Sequence, residues 1–165
     1  MKNQYKNIIL ILICIVLSIC VLAVSKVTGD KLVLRREENN IKREVSEVLP
    51  DVNKISSLEI GENIPQSVKE IYLSDNGVAV RVTVVGYAPG LELLCGIKNG
   101  KVTKIKCVSS RETLGAEKDY GTNFEDKTLK QAKLVSTVSG ATKTTSAYKQ
   151  GVIDALEVYG KVAEE

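Results

Sequence analysis

The stretch Leu91 to Val108 limits the possible folds of this chain more than any other segment. Leu91 to Ile97 and Lys101 to Val108 are strand-compatible runs flanking Lys98-Asn99-Gly100. Asn-Gly is favoured where a two-residue turn needs positive φ at both central residues, so the segment predicts a type I′ β-hairpin. Just upstream, Val78, Val80, Val82 and Val84 alternate with Ala79, Arg81, Thr83 and Val85, the period of a strand. Gly86, Pro89 and Gly90 are expected to break it. A helix is expected to begin between Thr144 and Ser146 and to run towards Tyr159. Its stripe is Tyr148, Val152, Ala155, Leu156 and Tyr159, and Gly160 is its expected stop. A run of antiparallel strands followed by a helix that can pack on them gives an α+β domain.

The N-terminus has a different character. Ile8 to Val24 reads IILILICIVLSICVLAV, without a charge. At ~1.5 Å per residue, about 17 helical residues cover roughly 26 Å, just sufficient for a bilayer core. Lys6 and Lys26 bracket the run and can snorkel to the two interfaces. An uncleaved single-pass anchor is the preferred reading. A cleaved signal peptide is the alternative, with Ala23 and Ser25 as the small residues of a cleavage site. A lipoprotein is disfavoured by the bulk of Ile19 before Cys20. Positive charges on both flanks, counted alone, keep the larger C-terminal part in the cytoplasm, and long domains can translocate despite such flanks. Asp30 to Leu49 is then polar and helix-compatible, with Ile41, Val45 and Val48 on one stripe and Pro50 as its end. The expected organisation is an anchor over 1–29, a stalk or entry helix over 30–50 and a globular domain over 51–165.

Composition removes several classes of chemistry. The chain has no histidine, which excludes Ser-His-Asp triads, Cys-His proteases and His-Glu-x-x-His zinc sites. A net charge of +3, with basic residues scattered among acids and no aromatic interleaving, argues against nucleic acid. Of the four cysteines, Cys14 and Cys20 lie in the apolar run, while Cys95 and Cys107 flank the hairpin. A two-residue turn sets Cys95 opposite Lys104 rather than Cys107, so free buried thiols are expected, not a disulfide. No spacing suggests zinc. Any redox or group-transfer chemistry therefore belongs to something the protein holds.

One segment is unusually rich in hydroxyls: Ser139-Gly140-Ala141-Thr142, then Lys143, Thr144, Thr145 and Ser146, at the start of the predicted helix. Ordinary helix capping accounts for such residues. A helix N-terminus also has unpaired N–H groups and partial positive charge, so it suits a phosphate. Gly140 and Ala141 carry little bulk to obstruct one, and Thr142 offers an oxygen that could be hydrogen-bonded or esterified.

Ser139 to Thr142 resembles the flavinylation motif of the FMN-binding domain family. That family includes the G subunit of the Rnf ion-translocating electron-transport complex and the C subunit of the sodium-pumping NADH:quinone reductase. Glu112, Thr113 and Gly115, in SSRETLGAEKDYGTNF, resemble that family's Glu-Thr-Pro-Gly-Leu-Gly loop. GYAPGLELLCGIKNGKVTKIKCV is similar to its Gly-Tyr strand and hairpin, and the N-terminal run with a stalk ending in Val48-Leu49-Pro50 is closest to the Rnf G subunit. The chain departs from the pattern at Ser136, where an aspartate is usual, at Leu114 for proline, and at Glu117 for a second glycine.

The resemblance implies a membrane-anchored electron carrier rather than an independent catalyst, with FMN joined to Thr142 through a phosphoester. Ser139, Gly140, Ala141 and Thr145 would shape the phosphate end; Glu112, Thr113, Leu114 and Gly115 would approach the ring. Lys143 could offset phosphate charge or be merely an exposed lysine. The implied partners are other membrane subunits of an Rnf-like complex, a flavin transferase for maturation, and the bilayer. The implied location of the soluble domain is extracytoplasmic, against the flanking charge count. The alternatives are a standalone FMN-binding electron carrier, a pilin-like structural protein, and a non-redox binding module. The apolar run lacks the preceding glycine and internal glutamate of a pilin.

Overall fold

Hydrophobic alternation and turn chemistry produce an antiparallel meander. A computed structural model of the protein describes residues 15–18, 35–61 and 63–163. The chain divides into two compact units, Met1–Ile41 and Lys42–Glu165. In the first, residues 15–18 and 35–41 are helical. Among the described residues no helix is long and apolar enough to cross a membrane. Most of the Ile8–Val24 run expected to be an anchor lies outside the described residues.

The second unit is α+β. Residues 42–48 are helical (α1). Five strands follow, β1 (Ile55–Leu58), β2 (Val68–Ser74), β3 (Gly77–Val85), β4 (Pro89–Lys98) and β5 (Lys101–Ser109), each hydrogen-bonded to its neighbour in chain order. Short helices α2 (Glu117–Tyr120) and α3 (Leu129–Ala132) lie on either side of a 3-10 turn, Gly121–Phe124. The long helix α4 spans Thr142–Ala163.

The β4–β5 turn is as the sequence predicts, with Asn99 at φ 52° and Gly100 at φ 71°. The valine strand breaks after Val85 as expected, and Pro89 and Gly90 already belong to the next strand, β4. The pairing of Cys95 needs correction. It faces Ile105, while Lys104 faces Gly96, because the register shifts between Gly96 and Ile97. The same shifted register sets Cys107 opposite Leu93, and a second shift beyond it sets Ser109 opposite Glu92. Both thiols are free, as expected. Strand β2 escaped the sequence reading because a bulge between Val68 and Glu70 breaks its alternation. Strand β1 is short and largely exposed, so it leaves little pattern to read.

Each face of the sheet has a helical cover. Val80, Val82, Leu91, Leu93, Cys95 and Ile97 form a core with Tyr148, Val152, Ala155 and Leu156 of α4. On the opposite face α1 buries Val45 and Val48, and Leu49 just beyond it is also buried. The predicted stripe of the stalk thus docks at these positions instead of remaining solvated. The Val48 carbonyl accepts a 2.5 Å bond from Thr103 Oγ1. Arg81 of β3 binds Glu44 of α1 at 2.5 Å, Glu70 at 2.7 Å and Glu92 at 3.0 Å. Burial and the hydrogen bond that Tyr72 donates to Glu70 push the Tyr72 hydroxyl up to about 12.

Helix α4 is longer than expected at both ends. Thr142 and Thr145 return their hydroxyls to the carbonyls four residues back, Val138 and Ala141, which lets β-branched residues open the helix. Past Gly160, Val162 still packs against the core, so the glycine does not end the helix.

Gly96 lies beneath the end of α1. A methyl there would collide with the Val48 carbonyl and lie 2.6 Å from Thr103 Oγ1. Gly96→Ala is expected to lower unfolding free energy by about 1–3 kcal/mol, read from the urea midpoint. Burial raises the Cys95 thiol from its ordinary 9.0 to about 12. The native state therefore keeps a proton that the unfolded chain releases. Its contribution is complete below pH 9 and is lost as pH rises towards 12. Between about pH 8 and about pH 10 this thiol should remove roughly 1 kcal/mol of stability. Cys95→Ala should lose that component of the pH slope in paired urea titrations.

Candidate functional site

Three segments distant in sequence meet at the N-terminal end of α4. The first is the β3–β4 connection, Gly86 to Ala88. The second is the loop from Ser110 to Ala116, after β5. The third is the turn from Val138 to Ala141 that leads into α4. Together they enclose a cleft of about 400 Å³ lined by Tyr87, Glu112, Thr113, Leu114 and the run from Gly140 to Thr144.

Glu112 fixes this geometry. Its Oε1 accepts the Ala88 N–H at 3.1 Å, and its Oε2 accepts the Thr144 hydroxyl. One carboxylate therefore joins the first two segments to the first turn of α4. Gly86 makes room for it, since a Cβ there would strike Glu112 Oε1 and lie 3.2 Å from the Thr144 Cα. The Glu112 N–H is held at 3.1 Å by Ser110 Oγ, which in turn donates to buried Glu117 at 2.9 Å.

Aromatic packing seats the helix behind the cleft. Tyr148 meets Tyr120 edge-on at 5.3 Å and Phe124 at 6.0 Å. The Tyr120 hydroxyl bonds the Ser136 carbonyl, and Lys149 bonds the Val135 carbonyl, both at 2.9 Å. These contacts restrain the segment before α4. Gly140 then turns the chain with φ +85°, a conformation disfavoured by a side chain. The Ala141 carbonyl takes the first helical bond, from the Thr145 N–H at 3.0 Å.

The hydroxyls do not divide as ordinary capping would have them. Ala141, at the capping position, has no side-chain acceptor for the N–H groups of the first turn. Those of Thr142, Lys143 and Thr144 lie at a helix end, where intrahelical partners are lacking. Thr145 is fully buried, its Oγ1 accepting the Val138 N–H at 3.1 Å. Thr144 is buried and committed to Glu112. Thr142 is exposed, with only a long 3.4 Å bond to the Val138 carbonyl.

Of the residues singled out in the sequence, Glu112, Thr113, Leu114, Gly140, Ala141 and Thr142 line the cleft. Ser139, Gly115 and Thr145 lie outside its lining; Gly115 instead turns the loop at φ +66°. Sequence reasoning missed Thr144 and Tyr87. The signal for Tyr87 was available: it is the aromatic residue inside the Gly86–Gly90 break.

Residues 86–157 match the model of the FMN-binding domain family. No curated protein matches the chain. The FMN-binding domain match begins at Gly86, covers β4, β5 and the cleft loop, and ends within α4, so it contains every residue lining the cleft. It supports FMN as cofactor and a flavin-binding electron carrier as the function. The donor set suits that group. The helix start and Lys143 can meet a phosphate, and Tyr87 and Leu114 provide apolar surface for a ring.

Truncating Glu112 tests the clamp. Glu112→Ala leaves the Thr144 hydroxyl and Ala88 N–H without their acceptor and should cost about 2 kcal/mol by chemical denaturation. Glu112→Gln keeps one oxygen acceptor and should lose under half of that.

Proposed function

We propose that this protein is a membrane-anchored electron carrier whose FMN is joined to Thr142 through a phosphoester, and that it serves as a subunit of an Rnf-type ion-translocating complex. The observation that carries this reading is the exposed Thr142 hydroxyl at the open start of α4, beside the cleft and inside the segment matched by the FMN-binding domain. Thr144 and Thr145 are less suited to attachment, since both are buried and hydrogen-bonded.

The bound flavin would supply one- and two-electron chemistry. The residues of this chain bind and orient it. Gly140 and Ala141 leave room at the phosphate end, and Lys143 offsets phosphate charge. Glu112 holds the two loops against the helix. An ester bond at Thr142 prevents loss of the cofactor and keeps its local concentration high.

The uncharged run Ile8–Val24 supports the anchor, and the resemblance to the Rnf G subunit supports an extracytoplasmic domain working beside multispanning subunits. Ser136, where the family usually has aspartate, favours a second reading in which the same cleft holds FMN without the ester.

Co-expression with a flavin transferase distinguishes the two. The ester predicts a fluorescent band on a denaturing gel, an intact mass increased by the flavin mononucleotide moiety, and loss of both in a folded Thr142→Ala variant. A dark wild-type band from yellow protein selects non-covalent FMN. Colourless protein that also fails to bind added FMN refutes the cofactor reading.

A further inference from the structure

A second cavity, sharing no residue with the cleft, lies along β5, the edge strand of the sheet. It measures about 300 Å³ and is lined by Glu47, Lys104, Ile105, Lys106, Cys107 and Lys118. Strand alternation gives it two characters. Ile105 and Cys107 pack towards the core, whereas Lys106 reaches α1 on the opposite face and binds Glu47 at 2.8 Å. Lys104 pairs with Gly96, whose absent Cβ would also point at the end of α1. Lys118 joins from α2. The cavity therefore has an apolar floor and a basic wall.

The charge of that wall is unbalanced. Among the described residues Glu47 is the one carboxylate of the lining, against three lysines. The bond from Lys106, with Arg43 and Lys104 nearby, holds the Glu47 carboxyl below the usual carboxylate range. Its close partner is Lys106. Lys104 and Lys118 are exposed and have no salt bridge among the described residues. Glu117, whose charge reaches Cys107, is buried outside the lining. Two unpaired ammonium groups from separate elements thus share one concavity, and an anion between them relieves their repulsion.

We propose that this cavity binds a phosphomonoester, with Lys104 and Lys118 on the phosphate oxygens and Ile105 and Cys107 against the carbon skeleton. A phosphomonoester carries about −1.5 to −2 charge at pH 7, which matches two ammonium groups, whereas a carboxylate matches one. Inorganic phosphate leaves the apolar floor uncovered, and an ester covers it. The volume is at the lower end of the roughly 300–1,000 Å³ of small-ligand pockets, so a short carbon skeleton fits. A free phosphomonoester and the headgroup of phosphatidic acid offer the same group. The site is independent of the cleft and of its cofactor.

Lysine reactivity reads the site directly. The full chain in a non-ionic detergent is treated with an amine-acylating reagent, and each lysine is followed by peptide mass spectrometry. Glycerol 3-phosphate should slow acylation of Lys104 and Lys118 several-fold while leaving exposed Lys130 unchanged, and glycerate, a carboxylate of similar size, should protect far less. By calorimetry, the affinity for glycerol 3-phosphate should fall roughly tenfold in a Lys104→Gln, Lys118→Gln double variant and change less than about twofold in Lys130→Gln. Glu47→Gln releases Lys106 and should tighten binding. All of these side chains are exposed, so the variants should fold normally, as checked by circular dichroism.

The source of the phosphate is read in phosphatidylcholine nanodiscs carrying the full chain. Protection of Lys104 and Lys118 that appears on including phosphatidic acid assigns the headgroup, and protection by glycerol 3-phosphate alone assigns a free ester. Protection by neither, equal protection by glycerate, or an affinity that the double variant leaves unchanged overturns the proposal.

Discussion

The architecture of the cleft depends on the Glu112 carboxylate. It accepts one hydrogen bond from the β3–β4 connection and one from the first turn of α4, while its own backbone belongs to a third segment. A partly buried carboxylate is costly without partners, and here the partners come from the elements that must be aligned. Gly86 is the necessary counterpart, because any side chain there would occupy the space taken by the carboxylate oxygen. The resemblance assigned Glu112 to the ring. The structure gives each of its side-chain oxygens one protein donor and keeps Glu112 in the lining of the cleft.

A comparable arrangement is found on the far face of the sheet. Arg81 is surrounded by Glu44, Glu70 and Glu92, with its side chain only 14% exposed. Taking a guanidinium out of water is costly, and three carboxylates offset that cost while linking α1, β2, β3 and β4. Helix α1 is therefore joined to the sheet by charge as well as by Val45 and Val48. Neither polar cluster has a short sequence signature, since each is built from residues tens of positions apart.

The fold was legible where one local rule dominates. Asn99-Gly100 dictated its turn, and the valines of β3 dictated a strand with one face in the core. It was illegible where irregularity interrupts the period, as at the β2 bulge and the shifted register near Gly96, and where β1 is too short to carry a pattern. The boundaries of α4 were misjudged for a different reason. Thr142, Thr144 and Thr145 are poor helix formers alone, and only the bonds of Thr142 and Thr145 to preceding carbonyls and of Thr144 to Glu112 show why the helix accepts them. Within the cleft, the Gly140–Thr142 run and the Glu112–Leu114 loop could be found by resemblance. Tyr87 could not be found from periodicity, because its importance comes from remaining outside the core, and exposure is a tertiary property.

The order of strands in the sheet has a consequence for how the protein is made. Every strand pairs with its immediate predecessor or successor, so the sheet can assemble by successive short closures. Helix α4 is different: it must return across the meander to reach β2, β3 and β4. Until it arrives, Thr144 is absent from Glu112 and the cleft lacks one wall. A partly folded chain thus has no finished cleft, and only the completed domain encloses one.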